Sequence, residues 1–396
     1  MERIIMHIDV NNAFLSWSAV YYLMKGSKID IRDTYAVIGG DEKSRRGIVL
    51  AKSNPAKKLG IVTGETLYSA RKKCKDLKTY PMNYPFYQKI SSKFFEIIKQ
   101  YTPDIEIASI DECYLDYTGI RKIYGDPYKF AEKLRKEVNE KLKFTINIGI
   151  ANNKLCAKMA SDFEKPNKIH TLYEYEVQEK MWPLKVDDLF TVGKKSAEKL
   201  HLMNINTIGE LANCDPVRLY PFFKNQTNYY IDIANGIDNS IVDNTEHIYK
   251  GISNEITLPY DMYTIDELNE YILSLSEKVS LRLRRQEKYA KVVAVILKDS
   301  SFKRKTKQKK LVNATSNTSE IYDMCIEIIK KMDLSEGIRL IGIRLDDLTY
   351  DHSKQISLFQ SYNPVDDKLD KAVDNIKIKY GNNIIKNAGS KNIYYK

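Results

Sequence analysis

Residues 4–14, IIMHIDVNNAF, and residues 105–118, IEIASIDECYLDYT, carry the reading of this chain. In the first, Ile4, Ile5, Met6 and Ile8 make an apolar strand that runs into Asp9. In the second, Ile105, Ile107, Ile110, Tyr114, Leu115 and Tyr117 form two apolar stretches with Asp111 and Glu112 between them. Ionised carboxylates rarely end a buried strand without a cation to neutralise them. Three of them converging at one sheet edge would make an all-oxygen site suited to Mg2+, the ion that serves phosphoryl transfer. Taken singly, each is also an ordinary strand-end acid in a turn. The fold decides between the two readings.

The order of the surrounding elements supplies the geometry. Residues 13–81 read as a small mixed insertion, with an apolar stretch from Ala13 to Met24, strands at TYAVIGG and GIVLAKS, and short helices at PAKKLGI and ETLYSARKKC. Ile90, Phe94, Phe95, Ile97 and Ile98 recur at helical spacing between 87 and 101. Strands follow over 104–110 and 112–118, and Asp126-Pro127 is a helix start with Phe130, Leu134, Val138 and Leu142 on one face behind it. FTINIGI is a further strand and 152–163 a further helix. With the insertion set aside, the order is β-α-β-β-α-β, the ferredoxin-like unit. Its first and third strands are antiparallel neighbours, so the end of the first lies beside the turn joining the second and third. Asp9 stands at one place and Asp111-Glu112 at the other, and the topology predicts that they meet.

Beyond Pro166 the chain reads as helical to about 240, with a loop at GIDNSIVDN. A mixed α/β segment spans 250–349, with a helix from Ile265 to about Arg285 and strands at KVVAVIL and IRLIGIRLDDL. The tail, 350–396, is polar with one helix near 366–380.

At 396 residues the chain suits two to four domains, and 43% apolar with 29% charged residues is a globular balance. No run approaches 18 apolar residues and no leader precedes the first strand, so neither a membrane span nor export is expected. Five scattered cysteines argue against a disulfide framework or zinc site and for a reducing cytoplasm. The net charge is +11, and residues 278–310 alone hold 13 Lys or Arg against Glu287 and Asp299. A basic excess confined to one segment is a footprint for a polyanion, with nucleic acid the first candidate. A solvated charged face is the plainer alternative, though such faces usually mix signs.

Together these stretches resemble the Y-family translesion DNA polymerases over nearly the whole chain. HIDVNNAF (7–14) is similar to the family's H-I-D-x-D-x-F-[FY], and SIDECYLD (109–116) to S-I-D-E-x-Y-L-D. RRGIVLAKSNPAKKLGI (45–61) resembles R-G-V-V-x-x-x-S-Y-E-A-R-K-x-G-V, and GIANNKLCAKMASDFEKPNKI (149–169) resembles G-I-x-x-N-K-x-x-A-K-x-A-S-x-x-x-K-P-N-G. DLFTVGKKSAEKL (188–200) is similar to a helix-hairpin-helix. The resemblance implies a right-hand α+β architecture: a palm at 1–12 and 82–170, fingers at 13–81, a helical thumb at 171–240, a linker at 241–249, a little finger at 250–349, and a tail at 350–396. Asn11 stands where a second Asp is common, Ala13 where an aromatic is usual, and Asn54, Pro55 and Lys57 where Tyr, Glu and Arg are usual. These departures resemble a divergent Gram-positive branch related to the polymerase V catalytic subunit rather than a plain polymerase IV.

Carried over residue by residue, the resemblance implies error-prone synthesis opposite damaged template by two-metal-ion nucleotidyl transfer. Asp9, Asp111, Glu112 and the Val10 carbonyl would hold two Mg2+ ions, with Mn2+ as the expected substitute. Phe14 matches the ring that excludes a ribonucleotide 2′-OH, Lys165 contacts the deoxynucleoside triphosphate, and Asn54 and Lys57 take the places of the usual triphosphate-holding Tyr and Arg. Lys for Arg keeps the charge but loses the bidentate fork. Gly193, Lys194 and Lys195 would meet primer–template phosphates at the hairpin. Lys303, Lys305, Lys307 and Lys309, with Arg304, alternate on a strand at roughly phosphate spacing. Gln355, Leu358 and Phe359 resemble the Q-x-x-L-F motif for a bacterial sliding clamp. A recombinase or accessory subunit is a further candidate partner, and the chain is expected to act as a monomer. Two alternatives remain: a catalytically inactive DNA- and clamp-binding factor on the same fold, and, from Gly39-Gly40-Asp41-Glu42, a palm-fold cyclic-dinucleotide cyclase. Lys43 in place of the cyclase Phe, and the basic segment, speak against the last.

Overall fold

The structure is a computed structural model and describes residues 2–41, 45, 47–245, 250–351, 364–381 and 384–385. The chain divides into two compact units, residues 1–40 with 48–246, and residues 41–47 with 247–396.

The first unit is built on the expected ferredoxin-like sheet, with one strand more than the sequence suggested. Its order is Ile105–Ile107, Glu112–Asp116, Ile5–Val10, Ile146–Ala151 and Ile169–Leu172. Ile5–Val10 pairs antiparallel with both Glu112–Asp116 and Ile146–Ala151, and Ile169–Leu172 adds in parallel at the edge. Alternate residues of a strand face opposite sides, and both sides here are covered. Met6, Ile8 and Val10 pack with Phe94, Phe130, Leu134 and Val138 of helices Tyr84–Lys99 and Pro127–Leu142. Ile5 packs on the other side with Leu155 and Met159 of helix Lys154–Asp162. That is why the first strand is buried along its whole length. Gly149 lets the helix lie directly on the sheet, because a Cβ there would stand 1.9 Å from the Ala157 carbonyl oxygen.

Helix Ala13–Met24 belongs to two cores. Trp17 and Val20 enter the main one, while Leu15 and Ala19 join Ile31, Ala36 and Ile38 beside a small sheet. That sheet has the order Val49–Lys52, Ala36–Gly39, Lys78–Pro81. The last of these strands escaped the sequence reading. Further helices, Lys194–Leu202, Ile208–Ala212, Pro216–Phe223 and Thr227–Ala234, share the core behind Lys154–Asp162.

The second unit is a four-stranded antiparallel sheet in the order Arg304–Thr315, Tyr289–Asp299, Ile338–Thr349, Gly251–Met262. Helices Ile265–Arg284 and Thr318–Ile329 cover one face, with Val293, Val295, Leu297, Ile341 and Ile343 in the core between. The tail helix falls where the sequence placed it, at Pro364–Tyr380, and it is docked. Asp370 and Asp374 both bind Arg284, at 2.9 and 2.6 Å, and Asp370 also accepts from the Thr318 N–H at 3.0 Å. All five cysteines are free and buried. Among the described residues, no helix is long and apolar enough to cross a membrane.

Candidate active site

The three carboxylates meet as the topology predicts. Asp9 and Glu112 are directly opposed across the antiparallel pair, and the Val10 N–H donates to the Asp111 carbonyl at 3.0 Å. Asp9, Val10, Asp111 and Glu112 thus share one corner of the sheet. Two ammonium groups stand among them: Lys165 binds Asp9 and, at 2.7 Å, Asp162, while Lys158 binds Glu112 at 2.9 Å. Asp111 accepts from the Ser109 hydroxyl at 2.5 Å.

The electrostatics separate the three. Burial first, then the Asp9 and Glu112 charges, raise the Asp111 pKa, which is what a cluster of like charges short of cations does. Glu112 is held down to about 2 by the His7 ring and by Lys158. His7 approaches at 3.4 Å, long for a hydrogen bond, so Lys158 is the closer partner. Burial works against the Lys158 charge, yet Glu112, Asp162 and Asp9 outweigh it and raise its pKa.

With each carboxylate drawn to its own partner, no group of three or more His, Cys, Asp or Glu among the described residues is gathered tightly enough to cage a metal as it stands. The donor chemistry nevertheless fits. All the side-chain donors are oxygens, a hard-cation set, and the cations present are lysine ammonium groups that divalent ions could displace.

Sequence reasoning missed the residues behind this corner. His7 is fully buried, and burial lowers its pKa. Its Nδ1 lies 2.8 Å from the Ser161 hydroxyl, which itself donates to the Lys158 carbonyl at 2.8 Å. Asn147 is also fully buried. Its Nδ2 donates to the Ser161 and Glu164 carbonyls at 2.9 and 2.7 Å, and its Oδ1 accepts from the Lys168 N–H at 3.1 Å and from Asn11 Nδ2 at 3.0 Å. Asn11 Oδ1 in turn accepts from the Asn167 N–H at 2.8 Å. This pair of amides holds the loop that carries Lys165. Two asparagines 136 positions apart carry no sequence signal that they touch.

Beside the corner lies a cavity of about 580 Å3 lined by Phe14, Lys52, Asn54, Lys57, Asp111 and Lys165, among others. The structure therefore brings the expected nucleotide residues together with Asp111, one of the expected metal ligands. Phe14 is half-buried and stacked on Tyr87, with ring centroids 5.0 Å apart and planes 15° from parallel. Tyr87 is fixed by a 2.5 Å hydrogen bond with Ser18. Asn54 and Lys57 lie on helix Asn54–Lys58, which Ser53 caps through its hydroxyl, and both are exposed.

The expected phosphate contacts fare unevenly. Gly193 caps helix Lys194–Leu202, with Lys194 and Lys195 exposed in its first turn. Thr191, where Gly is common in the family, has φ +78°, a left-handed conformation that a β-branched residue rarely adopts. The alternating lysines fall on and just before the edge strand Arg304–Thr315. Lys303 precedes the strand, its N–H bound to Asp299 at 2.8 Å. Lys305, Lys307 and Lys309 register with the core-facing Leu297, Val295 and Val293, so they lie on the helix-covered side. There they meet Asp333, the Lys331 carbonyl and Glu327 at 3.4, 2.9 and 2.7 Å. Arg304 and Lys310 register with Lys298 and Val292 on the opposite face, where Arg304 pairs with Glu255. Gln355, Leu358 and Phe359 lie outside the described residues.

Comparison with known proteins accords with this geometry. The impB/mucB/samB family model matches residues 8–162, that family's C-terminal domain matches 249–358, and the IMS family HHH motif matches 176–205. DNA polymerase IV of Clostridium acetobutylicum is 45% identical over 387 residues, covering 97% of each chain. DNA polymerase IV of Clostridium kluyveri is 35% identical over 398 residues, covering 98% of each. These relatives carry polymerase IV names, so the lean toward the polymerase V branch finds no counterpart in them. A solved Y-family DNA polymerase chimera shares the fold, with a TM-score of 0.77 over 88% of this chain and 100% of that one at 22% identity. Matched by family models over residues 8–162, 176–205 and 249–358 and nearly end to end by these relatives, the chain belongs to the impB/mucB/samB family.

Proposed function

We propose that this protein is a DNA-directed DNA polymerase that extends a primer 3′-OH opposite damaged template. The observation that carries the reading is the meeting of Asp9, Asp111 and Glu112 beside a cavity that also holds Phe14 and Lys165. Asp9, Asp111, Glu112 and the Val10 carbonyl would hold two Mg2+ ions, which stabilise charge on the attacking and leaving oxygens in such reactions. Lys165 is placed to exchange Asp9 for a phosphate oxygen of the nucleotide, and Phe14 to close the space beside the sugar C2′. Residues 13–81 act as fingers, 171–240 as a thumb and 250–349 as a little finger. The first unit's exposed Gly193 hairpin and the second unit's basic strands supply DNA contacts. Gln355, Leu358 and Phe359 dock on the bacterial sliding clamp, and the work is cytoplasmic.

Primer extension across an abasic template site with Mg2+ tests the reading. Extension that stops on chelation of the metal is expected. DNA binding without extension on damaged and undamaged template would favour the non-catalytic alternative, against which the retention of all three carboxylates stands.

A further inference from the structure

The cavity carries positive charge that the sequence motifs do not explain. Lys52 ends strand Val49–Lys52 and lines the cavity together with Leu50, its neighbour on the same strand face. In the family pattern around residues 45–61 its position is unspecified, so nothing in the resemblance gives it a role. Its backbone is pinned, because Asn12 Nδ2 donates to the Lys52 carbonyl at 2.6 Å just beyond the metal-site strand. Its ammonium has no carboxylate within ion-pair distance among the described residues, although the Glu65 charge acts on it from farther off. Among the described residues its hydrogen bond goes to the Thr63 hydroxyl, at 3.1 Å, and no carboxylate pairs with it.

The surroundings ask for an anion. Burial, and then the charge of Lys57, hold the Lys52 pKa below the ordinary lysine value. Glu65, the nearby acid, is committed to Lys73 at 2.7 Å. The other cavity cations are committed too: Arg32 forks onto Asp30, and Lys165 onto Asp9 and Asp162. Two lysines in one cavity without an acid between them form a subsite for a compact polyanion. A DNA strand presents single charges spaced along a backbone. The triphosphate of a nucleotide presents several charges within one cavity, next to the carboxylates that would bind its metal.

We propose that Lys52, with Thr63 beside it, binds the triphosphate of the incoming nucleotide and stands in for the usual tyrosine that Asn54 replaces. This rests on the polymerase reading. Lys52→Ala should raise the nucleotide KM by about tenfold or more, with a smaller change in kcat. It should weaken inhibition by pyrophosphate in parallel and leave primer–template affinity within about twofold. Lys52→Arg should restore most of the loss, which a purely structural lysine would not predict. A Lys52→Ala enzyme with unchanged nucleotide KM and pyrophosphate inhibition overturns the proposal. So does one whose loss falls on primer–template affinity instead. If the wild-type protein extends no primer, the polymerase reading fails separately. Calorimetry of pyrophosphate with Mg2+ on wild type and Lys52→Ala then decides the anion site alone, equal affinities overturning it.

Discussion

Asp9 and Glu112 sit directly across from each other on antiparallel neighbours, so their side chains leave the same face of the sheet. Like charges in that position are destabilising, and the structure offsets them with Lys165 on one and Lys158 on the other. The corner is thus a carboxylate pair built around cations, with Asp111 completing it from the adjoining turn.

Asp111 has neither lysine, and its raised pKa reflects burial and the two neighbouring carboxylates. Asp111→Ala should lower primer extension by more than about a thousandfold, the several kcal/mol expected of a lost metal carboxylate. Primer–template affinity measured by anisotropy should hardly change. Extension within about tenfold of wild type would remove Asp111 from the metal set.

Phe14 is held by its stack on Tyr87, which makes it a fixed wall rather than a loose ring. Phe14→Ala should erode discrimination against ribonucleotides by about two orders of magnitude in competitive incorporation. The melting temperature should fall by only a few degrees, because the ring is half-buried. An unaltered sugar preference would place the gate on another residue.

Asn11 is a donor to Asn147 and an acceptor from the Asn167 N–H. Asn11→Asp keeps the acceptor and turns the donor into a second acceptor facing Asn147 Oδ1. The expected cost is about 1–3 kcal/mol of stability. The nucleotide KM should also rise, because the loop bearing Lys165 loosens. In a Lys165→Ala background that KM effect should vanish, and a double-mutant cycle measures this directly. An additive outcome would confine Asn11 to stability.

The second unit's cations should divide by face. Replacing Arg304 and Lys310 with Ala should flatten the slope of log affinity against log salt by up to about 2. Replacing Lys305 and Lys307 should flatten it less, since both already have partners on the helix side. Equal changes from the two pairs would mean that DNA reaches both faces.

The meeting of the three carboxylates was legible because it depends on strand order and on acids at strand ends, both written locally. Phe94, Leu134 and Val138 likewise announced their core through helical spacing. Strands Lys78–Pro81 and Ile169–Leu172 were not legible. Four-residue segments such as KTYP and IHTL lack a periodicity of their own and exist through pairing with a longer neighbour. The lysine strand shows a different limit. Alternation predicted correctly that Lys305, Lys307 and Lys309 share a side, but only the register with Val293, Val295 and Leu297 says which side it is. His7 and Lys158 fall inside the matched motifs and Asn147 outside them, but the role of all three went unread because each acts on a partner far away in sequence.

The docking of the tail helix on Arg284 bears on how the clamp motif can be examined. Arg284 is largely enclosed, with 14% of its side chain exposed, and both of its carboxylate partners come from Pro364–Tyr380. Cutting the chain ahead of residue 355, the simplest way to delete the motif, would remove both carboxylates and the helix that covers Arg284, leaving the guanidinium only the Ser316 carbonyl and the Thr318 hydroxyl among its present partners. The shortened protein would be a damaged second unit as well as a motif-less one, and its lost activity would be misread as lost tethering. Leu358→Ala with Phe359→Ala leaves the anchor whole, so a defect confined to clamp-stimulated synthesis in that variant can be attributed to the motif.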